Sequence, residues 1–167
     1  MKKLICTLVL MFTLTLLPYN TVKAATGMQE QNPKVMSLIK QKRQTINGEI
    51  KKHNKLHTQI NKKSSQLDEL LNALSKDNVL LSETKLAQLE DKENEITKIA
   101  KQLIQVDKKI EALNTEIADH MHHKSHEAVL ASFDELVSLV EKKTKLLKLH
   151  YESLESFVEF VKSLDYK

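Results

Sequence analysis

The sequence predicts an all-α protein: an elongated antiparallel three-helix bundle, an up-down-up coiled coil of the spectrin-repeat-like kind, behind a cleaved signal peptide. Three observations predict it. From Lys34 to Lys167 there is no proline and one glycine, Gly48. Leu, Ile and Val recur there at alternating three- and four-residue steps, the period of packed helices. The register breaks twice, near Ser75 to Asn78 and near His120 to His126, which leaves three tracts.

Lys2 and Lys3 precede an apolar stretch from Leu4 to Leu17, then Pro18 and the small-residue pattern Val22-Lys23-Ala24. This order fits a secretory signal over residues 1–24, cut after Ala24. The apolar stretch is shorter than the roughly 20 residues a membrane span needs, so a retained anchor is the lesser reading and the mature chain carries no span. Cys6 leaves with the leader, so the mature chain has no cysteine and packing alone must hold it. The absence of disulfides and of Asn-x-Ser/Thr sequons, with a Lys/Asn/Ile-rich body, suits a Gram-positive bacterial exporter and a wall or extracellular destination.

Residues 25–33 read as a disordered segment, and residues 34–167 as the bundle. The first helix is expected over about 34–75. Asn32 is suited to cap it and Pro33 to open it, and its seam is Met36, Ile39, Arg43, Ile46, Ile50, His53, His57, Ile60, Ser64, Leu67, Leu71 and Leu74. Four polar residues on that seam make it the tract expected to be held most loosely. The second helix, about 82–120, has Ser82 as its cap and carries Leu89, Lys92, Ile96, Ile99, Leu103, Val106, Ile110, Leu113, Ile117 and His120. The third, about 126–165 with Ser125 as cap, carries Val129, Phe133, Leu136, Val140, Lys143, Leu147, His150, Leu154, Phe157, Val161 and Leu164. Its flanks, including Leu130, Val137, Leu146 and Val158, are apolar too. A stripe that wide needs two neighbours rather than one. Tracts of about 40 residues, close to 60 Å each, joined by short connectors favour antiparallel hairpins. An extended hairpin that dimerises is the alternative, which keeps a homo-oligomer open.

The formal charge of +4 loses Lys2, Lys3 and Lys23 with the leader, leaving 23 bases against 22 acids. So small an excess gives no reason to expect nucleic acid. Its distribution is uneven: Lys34 to Lys63 holds nine Lys/Arg against Glu49 alone, and Glu83 to Asp119 holds nine acids against six bases. Helix-to-helix complementarity accounts for this, as would an anionic partner such as a wall polymer.

No phosphate loop, His-Glu-x-x-His or nucleophile-elbow pattern occurs, and a loop-poor bundle offers little on which to mount a nucleophile. The composition points away from an enzyme. All seven histidines lie in the mature chain. His120, His122, His123 and His126 form a candidate zinc or copper site if a non-helical turn lets the rings converge, with Asp119 or Glu127 as oxygen donors; otherwise they make a solvated turn. Folding the tracts at their joints places His53 and His57 near the height of His150. These three form a candidate buried histidine layer, either metal-binding or a hydrogen-bonded layer that fixes register. Arg43, Lys92 and Lys143 are expected to lie over apolar neighbours with their charges at the bundle edge.

The Lys/Glu/Gln-rich heptads behind such a leader resemble in composition the coiled-coil regions of secreted cell-wall hydrolases, without their catalytic domain. The expected function is a non-catalytic interaction or spacer module with a protein or cell-wall partner, and the alternative is an extracellular metal-binding protein.

Overall fold

A computed structural model describes residues 33–76 and 81–164. Those residues form three α-helices: α1, Pro33–Lys76; α2, Glu83–His122; and α3, His126–Ser163. No strand occurs among the described residues. The expected leader (1–24), most of the segment 25–33, the Asn32 cap and residue 165 of the third helix lie outside them, while Leu164 is described and no longer helical. Pro33 itself is the first residue of α1, where its missing N–H costs nothing.

The start of α2 and the turn between α2 and α3 follow the chemistry of the sequence there. At the start of α2, the Ser82 carbonyl accepts the Leu86 amide at 3.0 Å and the Ser82 hydroxyl lies 3.4 Å from the Lys85 amide, an N-cap arrangement. Between α2 and α3 the chain turns in a Schellman motif. The Ser125 amide bonds the His120 carbonyl and the Lys124 amide bonds the Met121 carbonyl, with Lys124 at φ 56°. Ser125 then accepts the Val129 amide and starts α3. This motif carries α2 two residues beyond the expected end at His120, because its wrapped carbonyls let the helix run into the histidine tract.

The described residues fall into two compact units. One, the turn unit, holds 33–54 and 105–145; the other, the C-terminal unit, holds 55–76, 81–104 and 146–164. In the turn unit Ile39 and Ile46 of α1, Val106, Ile110, Leu113 and Ile117 of α2, and Val129, Phe133, Leu136 and Val140 of α3 are buried. Lys42 pairs with Asp134 and Glu49 with Thr144, so α1 and α3 ascend together. Lys143 meets Asp107 across the turn, as antiparallel neighbours must. In the C-terminal unit Ile60, Leu67, Leu71 and Leu74 pack with Leu89, Ile96, Ile99, Ala100 and Leu103 and with Leu146, Leu147, Leu154, Phe157, Val158, Val161 and Leu164. There Lys63 reaches Glu155, while Ser153 meets Glu95 and Ser156 meets Lys92, again α2 against an antiparallel α3.

Every seam residue expected on the third tract, Val129 to Leu164, is buried, and so are the flanking Leu146 and Val158. The breadth of the apolar stripe identified the helix with the most to bury. On α1, by contrast, Met36, Arg43, Ile50 and His57 are only half-buried.

Two backbone positions carry avoidable cost. A Cβ built on Gly48, in the middle of α1, meets nothing within 4 Å. Gly48→Ala is therefore expected to raise stability by about 0.5–1 kcal/mol, since glycine in a helix interior carries excess unfolded-state entropy. Lys124→Gly is expected to raise it by about 1 kcal/mol by removing a Cβ from a left-handed conformation. Urea midpoints of the two variants check both values.

Candidate functional site

The densest polar chemistry in the described residues lies inside the turn unit. Glu49 of α1 is 8% exposed, His53 one turn later is 2% exposed, and Thr144 of α3 is 6% exposed. The Thr144 hydroxyl stands 2.5 Å from Glu49 Oε2 and 2.8 Å from His53 Nε2. His53 Nε2 is also 3.0 Å from the Val140 carbonyl oxygen. A carbonyl only accepts, so Nε2 carries the proton and donates to Val140 and Thr144, and the Thr144 hydroxyl donates onward to Glu49. Lys52 closes the outer end, its ammonium 2.5 Å from Glu49 Oε1. Burial would push the Glu49 carboxyl up, but hydrogen bonds from Lys52 and Thr144, together with the charges of Lys52 and His53, outweigh it and hold the group below its ordinary range. The carboxylate is thus kept ionised inside the helices.

The adjacent residue faces the other neighbour. Lys143 is 4% exposed and its ammonium is 2.5 Å from Asp107 of α2. The expectation that Lys143 would carry its charge to the edge is corrected here: the ammonium stays inside because Asp107, itself part-buried, reaches it. Arg43 and Lys92 keep closer to that expectation. The Arg43 guanidinium lies 5.8 Å from the Phe133 ring centre, and the Lys92 ammonium lies 5.8 Å from that of Phe160 while donating to Ser156 at 2.8 Å.

In the C-terminal unit His150 is 2% exposed and His57 is half-buried. Burial first, then the charge of His57, pulls the His150 imidazole down to about 4. His57 and His150 are therefore near neighbours, whereas His53 belongs to the turn unit and is engaged by Val140 and Thr144.

The histidine turn is wetter. His122 and His123 are exposed; His120 and His126 are half-buried. The His122 and His123 rings meet edge to face with centres 5.2 Å apart at the last turn of α2, where the His123 amide still makes a helical bond to the Asp119 carbonyl. His123 Nδ1 lies 3.0 Å from the Asp119 carbonyl oxygen, so that nitrogen donates and is occupied. His126 Nδ1 is screened from solvent and has no hydrogen-bond partner among the described residues. No three His, Cys, Asp or Glu side chains among the described residues converge as a metal site would require. No described helix is long and apolar enough to cross a membrane. A groove of about 790 Å³ runs along α1 in the C-terminal unit beside Lys62, Gln66 and Tyr151.

Set against protein-family models, curated proteins and solved structures, the chain matches none.

Sequence reasoning placed His53, His57, His150 and Lys143 on seams but missed Glu49, Asp107 and Thr144, which sit beside the seam. One signal was available: Glu49 is the lone acid between Lys34 and Lys63, four residues before His53.

Thr144→Val keeps the shape but removes the hydroxyl that joins Glu49 to His53. It is expected to cost about 1–3 kcal/mol in urea denaturation, the cost of leaving buried polar atoms short of a partner. The His150 shift gives a second expectation. In the unfolded chain His150 takes its proton near 6.5, and in the folded chain only near 4, so its contribution is full above 6.5 and is lost as pH falls towards 4. The loss is about 3 kcal/mol in all. Denaturation between pH 7.5 and pH 4.5 should show it, and His150→Leu should flatten the slope.

Proposed function

We propose that this chain is a secreted bacterial helical-bundle protein, an up-down-up three-helix coiled coil of the spectrin-repeat-like kind, that works as a non-catalytic interaction or spacer module at the cell wall or in the medium. The observation that carries this reading is where the reactive groups lie. Glu49, His53, Thr144, Lys143 and Asp107, the groups best suited to act on a ligand, bind one another across helices. The outer faces of α1 and α2 are left as what the protein presents, and recognition by such faces needs no catalytic loop. The leader over residues 1–24 supports export, and the partner class is a protein or a wall component.

Expression of the full chain in a Gram-positive host, followed by intact-mass analysis of the medium and wall fractions, tests the reading. A product starting at Ala25 outside the membrane is expected; uncleaved chain confined to the cytoplasm would overturn it.

A second reading, extracellular zinc or copper binding through the clustered histidines, has the paired rings of His122 and His123 in its favour. Zinc separates the two. The first reading expects an unchanged melting temperature with added zinc, and the second expects a rise that His122→Ala and His123→Ala abolish.

A further inference from the structure

The turn-unit part of α1, residues 33–54, carries Lys34, Lys40, Lys42, Arg43, Lys51 and Lys52 against one acid, Glu49. That acid is turned inward and is only 8% exposed, held by Thr144 from behind. Withdrawing it leaves the outer face without a carboxylate of its own. Lys42 is tied to Asp134 and Arg43 lies over Phe133, so both point back towards α3. Lys34, Lys40 and Lys51 are exposed, and none of them pairs with a carboxylate among the described residues. The Lys52 side chain remains 61% exposed while resting on Glu49.

Helical spacing orders these cations. Lys40 and Lys51 are eleven residues apart, about three turns, so they stand one above the other roughly 16 Å apart. Lys34 and Lys52, about five turns apart, define the opposite edge of the same outward strip. Between the edges lie the exposed Gln41, Gln44 and Gly48. With nothing within 4 Å of the Gly48 Cβ direction, the middle of the strip is a notch where a ligand can approach the backbone.

We propose that this strip is a docking face for a linear phosphodiester polymer of the cell wall. The inference rests on the extracellular reading above and names the partner class for one face of it. The ammonium groups of Lys40 and Lys51 on one edge and Lys34 on the other, flanking a low, uncharged floor, complement an extended chain with regularly repeated negative charge. Bases would need aromatic platforms, and the strip has none. A membrane surface would need an apolar face, and the large apolar side chain exposed on this segment is Leu38 alone, at 39%.

Isothermal titration of the purified full-length chain with poly(glycerol phosphate) at 50 mM and 200 mM salt tests the proposal. Binding at the lower salt is expected to weaken on the order of 20-fold at the higher, as about three phosphate contacts imply. The K34Q/K40Q/K51Q variant, whose changes are all exposed, is expected to keep its melting temperature and lose at least about tenfold in affinity by the same electrostatics. A charge-matched K108Q/K109Q/K145Q variant in the same unit should bind as the parent does. Absence of binding at 50 mM salt, equal weakening in the two variants, or binding to anionic vesicles or single-stranded DNA in preference to the polymer would each overturn it. Binding by a chain found uncleaved in the cytoplasm would uphold the face while removing the extracellular reading.

Discussion

A helix that is buried on two sides must match each charged group it buries to a partner on a neighbour, and α3 is the helix buried in this way in both units. In the turn unit two consecutive residues bear this constraint. Lys143 reaches Asp107 of α2, and Thr144 reaches Glu49 and His53 of α1. Consecutive residues on a helix point about 100° apart, so one dipeptide addresses both neighbours. Apolar contacts among Phe133, Leu136, Val140 and the facing isoleucines supply most of the attraction, but such contacts tolerate sliding by a heptad. A buried ammonium resists such a shift, because displacement takes it away from the carboxylate of Asp107.

The C-terminal unit applies the same logic with weaker groups. Ser153 bonds Glu95, Lys92 bonds Ser156, and Lys63 pairs with Glu155, which also accepts from Tyr151. These contacts lie nearer solvent, where ion pairs contribute little. Beside the buried hydroxyls of Ser64 and Ser153, that unit buries the imidazole of His150, kept neutral by its surroundings. The polar interior therefore differs in kind between units: a cluster built on an ionised carboxylate and bonded across helices in one, and a desolvated imidazole in the other. Holding Glu49 inside the helices also decides what α1 shows outside, since the acid that completes the interior is the one that would have broken the cationic face.

The described helices, the turn between α2 and α3, and the seam of α3 were legible in the sequence because they follow from local rules: heptad spacing, Ser caps, and the lack of proline and glycine. Half-burial on α1 falls on the polar Arg43 and His57 but also on the apolar Met36 and Ile50, whereas the polar His53 and Ser64 are buried, so seam polarity alone does not mark where α1 is exposed. The polar cluster was only half legible. His53 and Lys143 announced themselves by interrupting an apolar register, whereas Glu49, Asp107 and Thr144 occupy flanking positions where charged and hydroxyl residues are ordinary. Whether a flanking residue turns inward depends on the height at which the neighbouring helix presents its partner, and heptad pattern does not encode that height. The positive φ at Lys124 was hidden for a similar reason, since a lysine gives no hint of the left-handed turn that a glycine would have marked.

The claim that matched polar groups on α3 fix its pairing is tested most directly by a double-mutant cycle on Asp107 and Lys143. Asp107→Ala should cost about 1.5–3 kcal/mol, the loss of a hydrogen bond between charged groups, and adding Lys143→Leu should recover most of that loss. A double variant as unstable as Asp107→Ala alone, or an Asp107→Ala variant as stable as the parent, would contradict the account.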